Sequence, residues 1–138
     1  MSVKQAVPFF FVADMDASLR FYLDGLGFTK TKQWTPHGKI EWCWLEIGDA
    51  ALMLQEYREG RAPATPVGLG VSINFICDDA LAIYRELTAR GVAAHRPFVG
   101  NGMWVTGVKD PDGYALFFES VTDADEESVY EPPPPASP

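Results

Sequence analysis

The chain has 138 residues, 47% hydrophobic and 22% charged, with 19 acids against 11 bases and a net charge of −8. That length is one domain by the usual span of roughly 100–200 residues, and it can bury about 65–70% of its unfolded surface without a disulfide or metal. The missing basic excess argues against nucleic acid as a partner, and no apolar run approaches the ~20 residues of a membrane span. Residues 1–13 lack the pattern of a secretory signal. Cys43 and Cys77 follow no metal or redox spacing, so a reduced, cytoplasmic protein is expected.

In chain order, residues 6–13 are apolar and β-prone and predict a strand. Asp14 or Asp16 then offers an N-cap oxygen. Leu19, Tyr22, Leu23 and Leu26 recur at helical spacing, and Gly25 and Gly27 stop the helix. Residues 28–34 and 40–47 predict two strands joined through Pro36-His37-Gly38, and Gly48-Asp49 turns into a strand over 50–56. Residues 57–69 are polar and rich in Pro and Gly, as a linker should be. A strand over 69–77 precedes Asp78 or Asp79, a helix over 79–90 and Gly91. Strands near 92–98, 103–109 and 114–120 complete the series, the last entered through Asp110-Pro111-Asp112-Gly113.

The two series match at an offset of 64: Val7 with Val71, Phe11 with Phe75, Asp14 with Asp78, Leu23 with Leu87, Gly27 with Gly91, and Leu52 with Leu116. Two copies indicate a duplicated half-domain, not a solenoid. The fold class expected is α+β, two tandem βαβββ units (about 5–56 and 70–120, linker 57–69) forming a curved mixed sheet around a cavity. Together they make a domain over 1–122. Asp123, Asp125, Glu126, Glu127 and Glu131 lie beyond it with Pro132–Pro135 and Pro138. Like charges and prolines predict a disordered or polyproline-like tail over 123–138.

The segments VADMDASLRFYLDGLGF (12–28) and DPDGYALFFE (110–119) resemble those of the vicinal oxygen chelate superfamily. That group holds glyoxalase I, extradiol dioxygenases, and fosfomycin- and bleomycin-resistance proteins. The resemblance covers about residues 5–120 and rests on Val12, Asp14, Ser18, Phe21, Tyr22, Leu26, Gly27 and Phe28 and on the D-P-D-G turn. It implies a cup formed by the strands and a homodimer that completes the cavities.

Metal-dependent members place His, Gln or Glu on the first and last strand of each unit. The matching positions here are Val7, Met53, Ser72 and Phe117, with Gln55 and Glu119 two residues beyond the last-strand positions. None of the four suits a divalent ion, so neither a metal nor another cofactor is expected. His37 in a hairpin turn and His95 elsewhere do not fill the gap. Ser72 lacks a matched base for a nucleophilic role, and the cysteines are read as small buried hydrophobes.

Strand alternation assigns Phe9, Phe11, Met53, Gln55, Ser72, Asn74, Phe117 and Glu119 to the cavity face. Trp42 and Trp44 share one face, as do Trp104 and Thr106, and all three tryptophans join the candidate ligand set. These residues describe an aromatic cup with a few polar groups. The expected function is that of a metal-free small-molecule binder similar to bleomycin-resistance proteins, sequestering an aromatic or cationic ligand. The alternative is a metal-dependent lyase, transferase or dioxygenase with an atypical ligand set.

Overall fold

The computed structural model describes residues 1–134. The element order is β1 (Phe9–Val12), α1 (Met15–Leu19) running into a π-helical stretch (Arg20–Gly25), β2 (Thr29–Trp34), β3 (Trp42–Ile47) and β4 (Ala50–Glu56). The second series is β5 (Ser72–Ile76), α2 (Ala80–Ala89), β6 (Phe98–Gly100), β7 (Met103–Lys109) and β8 (Ala115–Val121). Two βαβββ units are therefore present, in an α+β fold. The strands form two four-stranded sheets, ordered β1-β4-β3-β2 and β5-β8-β7-β6. In the first, β1 runs parallel to β4 while β3 is antiparallel to both its neighbours. The chain packs as two compact units, Met1–Ile73 with Lys109–Ala115, and Asn74–Val108 with Leu116 onward. No helix among the described residues is long and apolar enough to cross a membrane.

Both helices start on an aspartate, as the sequence suggests, and the structure selects Asp14 and Asp79. Their side chains accept from the N–H of Ala17 and Ala82 respectively, satisfying a donor that has no partner inside the helix. The first helix departs from the expected α geometry at Arg20, where the register widens: the Leu26 N–H donates to the Phe21 carbonyl five residues back. Its inward stripe is accordingly Met15, Ser18, Tyr22 and Leu26, all buried, whereas Leu19 and Leu23 are half-buried.

Alternation then divides each sheet. In the first unit Phe10, Val12, Cys43, Leu45, Leu52 and Leu54 are buried on the side where the Met15 sulfur lies 4.0 Å from the Cys43 thiol. In the second, Thr106 donates to the Ala80 carbonyl of α2 at 2.7 Å and Ser120 accepts the Ala80 N–H at 2.8 Å. That side also buries Phe75, Val99, Val108, Leu116 and Phe118. Removing such side chains from water is the main stabilising term of each unit.

Two expectations change. Strand β6 covers only Phe98–Gly100, not 92–98; of the earlier residues, His95 donates its N–H to the Gly107 carbonyl. Composition predicts a loose tail from Asp123, but residues 122–130 fold back on β6. The Glu127 N–H donates to the Val99 carbonyl, the Val99 N–H to Ser128 and the Tyr130 N–H to Pro97. The Glu126 carboxylate accepts the N–H groups of Asn101 and Gly102, both at positive φ in the two-residue β6–β7 turn. Backbone pairing on an open sheet edge thus outweighs the charge repulsion that composition implied. Residues 135–138 of the proline-rich end lie outside the described residues.

Candidate functional site

Register places an aromatic face on the first sheet. Phe9 lies opposite Met53 and Phe11 opposite Gln55. Trp42 also pairs with Gln55, Trp44 with Met53, and β2 adds Lys32 opposite Trp44 and Trp34 opposite Trp42. Directly opposed residues share a face, so all eight side chains lie on the side away from Met15. Phe9 and Phe11 are each 42% exposed and Trp34 is 56% exposed, unusually open for such large apolar groups. Phe11 is 5.2 Å centroid to centroid from both Phe9 and Tyr57. The Lys32 ammonium sits 4.9 Å from the Trp44 ring centroid, an observed cation–π contact on this face. The Trp44 indole N–H donates to Glu46 at 2.9 Å.

A cavity of about 610 Å³ opens at the end of this face, lined among others by Trp34, His37, Lys39, Glu41, Gln55, Glu56 and Tyr57. Its volume is in the range of small-molecule sites. The hairpin between β2 and β3 forms one wall, closed by the Glu41 N–H donating to the Trp34 carbonyl at 2.9 Å. His37 Nδ1 is 2.9 Å from Glu41 Oε2, and Lys39 donates to Glu56 Oε1. That carboxylate beside it raises the Lys39 pKa above the usual lysine value. Glu56 Oε2 simultaneously accepts the Met15 N–H at 2.8 Å.

Of the sequence-predicted residues, Phe9, Phe11, Trp42, Trp44, Met53 and Gln55 are brought together on this face. On the second sheet Ser72 and Asn74 are exposed on β5, and Phe117 and Glu119 are half-buried on β8. Phe117 lies over a gap in β7: a side-chain carbon added at Gly107 would stand 2.8 Å from its ring. Trp104 differs. It shares its parity with Thr106, and Thr106 bonds to the helix. Its ring is 6.4 Å from that of Tyr130, which in turn is 5.7 Å from Tyr84 of α2. Trp104 is therefore on the helix side, packed by the folded-back tail, and leaves the ligand set. Sequence reasoning missed Trp34, Lys39, Glu41, Glu56 and Tyr57. Trp34 could have been found from its register with Trp42 once the hairpin was recognised.

The residues at the positions that the family resemblance assigns to metal ligands do not fit a divalent ion. Val7 and Phe117 have no donor, Met53 offers a soft thioether, and Ser72 a neutral hydroxyl. No group of three His, Cys, Asp or Glu among the described residues is placed to hold one. The motif residues serve the fold. Tyr22, fully buried, donates to Asp110 Oδ2 at 2.8 Å. Asp110 Oδ1 accepts the N–H groups of Asp112 and Tyr114, each at 2.9 Å. Asp112 accepts the Ala13 N–H at 2.9 Å, and Tyr114 stacks on Phe10 at 4.1 Å. Burial and the Asp110 carboxylate push the Tyr22 phenol far above its ordinary pKa, so it stays a donor. Burial likewise pushes the Cys43 thiol up to about 11, which removes its nucleophilic form at neutral pH.

The family model for the Glyoxalase/Bleomycin resistance protein/Dioxygenase superfamily matches residues 4–118. Among solved structures, a bleomycin-binding protein complexed with bleomycin is 24% identical with a TM-score of 0.68, covering 87% of this chain and 100% of its own. TnmS3, an antibiotic binding protein from Streptomyces sp. CB03234, is 21% identical with a TM-score of 0.65, covering 88% and 100%. The protein SMU.1112c is 22% identical with a TM-score of 0.70, covering 86% and 99%. At these identities the likeness establishes the fold. No curated protein matches the chain significantly.

Proposed function

The chain belongs to the Glyoxalase/Bleomycin resistance protein/Dioxygenase superfamily, and from that premise we propose that it is a binding protein that sequesters a planar aromatic or cationic small molecule. The observation that carries this reading is the open aromatic face of the first sheet, where Phe9, Phe11, Trp42 and Trp44 flank Met53 and Gln55. Stacking on such a face needs no catalytic group, and ring faces favour cations. The likeness to the bleomycin-binding protein and to TnmS3 supports the same class of activity. A second copy of the chain would complete the site as a homodimer, and the free thiols of Cys43 and Cys77 suit a reducing cytoplasm.

The test is thermal unfolding of the purified protein against a panel of antibiotics and aromatic amines. A ligand present at about 100 times its Kd stabilises by roughly 2.7 kcal/mol, a shift of several degrees. Solution mass should be twice the 15.2 kDa of one chain. A stoichiometric divalent ion that chelators remove, with loss of activity on its removal, would refute the binder reading in favour of the metal-dependent one.

A further inference from the structure

The duplicated halves contain their own control. Glu56 of β4 and Ser120 of β8 stand 64 residues apart, the offset of the repeat. Both hold the start of a helix in the same way. Glu56 accepts the N–H of Met15 and Ser120 the N–H of Ala80, each at 2.8 Å at the first residue of the helix. A buried neutral hydroxyl is sufficient for that purpose in the second unit. In the first unit the same position carries a carboxylic side chain that is part of the lining of the cavity of about 610 Å³. Its second oxygen is engaged by Lys39 at the tip of the β2–β3 hairpin. The Lys39 side chain is 64% exposed and that of Glu56 only 17%. An ion pair with so exposed a partner contributes little, so Lys39 can return to water while Glu56 stays in the wall.

We propose that Glu56 is the cation-recognition group of the cavity, occupied internally by Lys39 and taken over by the ammonium or guanidinium group of a ligand. This rests on the binder reading above and specifies the ligand further. Its cation replaces Lys39 at Glu56 while its ring lies between Trp34 and Tyr57, which line the same cavity. Glu41 and Glu59 add charge of the same sign and Arg58 opposes them. His37 engages Glu41; Glu56 differs from Glu41 in being the less exposed of the two and in having its other oxygen fixed by the Met15 N–H.

The experiment is calorimetric titration of the full chain with 2-naphthylmethylamine, 2-naphthalenemethanol and 2-naphthoate at neutral pH and low salt. Wild type should bind the amine about tenfold more tightly than the alcohol, because the ammonium adds a paired positive charge to the hydrogen bond that an O–H can also donate, and the naphthoate least. Glu56→Gln keeps an acceptor for the Met15 N–H; it should erase the amine's advantage over the alcohol, read as the ratio of the two Kd values within the variant. Lys39→Met removes the internal competitor and should strengthen the amine alone, about two- to fivefold. A merely structural Glu56 predicts neither the selective loss nor that gain. Equal binding of amine and alcohol by wild type overturns this proposal and leaves the binder reading standing. So does an amine advantage that survives Glu56→Gln, or amine binding that Lys39→Met weakens or leaves unchanged. Failure of all three probes to bind wild type overturns the proposal together with the binder reading of this face.

Discussion

Replacing Tyr22 by Phe removes one oxygen from a fully buried site and leaves the ring volume intact. The lost group is the donor to Asp110 Oδ2 at 2.8 Å. Asp110 is 5% exposed, and Oδ1 is already engaged by the Asp112 and Tyr114 amides, so Oδ2 is left with no partner in place of the phenol. Stranding a buried charged acceptor costs about 2–3 kcal/mol, which for a chain of this length lowers the melting temperature by roughly 6–15 °C. The deficit also has a defined pH dependence. Burial holds the Asp110 carboxyl above the usual carboxylate range, and the Tyr22 hydrogen bond pulls it partly back. A carboxyl whose folded pKa exceeds its unfolded one loses stability as pH rises between the two values, and the loss is complete above the folded pKa. Without Tyr22 the folded pKa rises further. The deficit of Tyr22→Phe is therefore largest near neutrality and shrinks as the solution is acidified into the carboxylate range. Urea unfolding of both proteins at about pH 7 and about pH 4 measures it. A deficit below about 0.5 kcal/mol at neutral pH, where surface changes fall, or one that grows on acidification, would refute the reasoning.

Gly107→Ala should destabilise by about 1–3 kcal/mol through overpacking, since the new carbon meets the Phe117 ring at 2.8 Å; Phe117→Leu in the same chain should recover part of the loss in chemical denaturation. Tyr130→Ala should shift the Trp104 emission to the red and speed hydrogen exchange at the Val99 amide, which donates to Ser128; an unchanged exchange rate would show that the folded-back segment does not depend on this ring. Cys43 is fully buried with its thiol pushed up to about 11. It should resist iodoacetamide at neutral pH until denaturant is added, and rapid labelling at Cys43 itself in the native protein, located by peptide mass, would contradict that burial.

Features that rest on local spacing were legible. The D-P-D-G turn, the candidate aspartate caps and β7 at 103–109 follow from neighbouring residues and the geometry of a single element. Period-two alternation also placed Phe9, Phe11, Met53 and Gln55 on one face, because in a strand the parity of a position sets its side. What alternation does not contain is which side meets the helix. Trp104 and Thr106 were correctly paired with each other, yet only the Thr106 bond to α2 shows that both lie on the core side. Trp34, Lys39, Glu56 and Tyr57 likewise carried no sequence signal as a group, since a hairpin tip, a strand end and a following loop meet only after folding.

The 64-residue repeat by itself determined two βαβββ units, and the superfamily motif residues determined where each turns. Tertiary structure decided the use of the acidic segment after Val121. Composition counts its charges as repelling, but the open edge of β6 leaves unpaired backbone groups that residues 127–130 satisfy, and the Asn101-Gly102 turn presents two N–H groups that the Glu126 carboxylate accepts. Charge is a property of the segment alone, whereas a vacant hydrogen-bonding edge is a property of the folded partner. That edge exists only once Phe98–Gly100 has paired with β7.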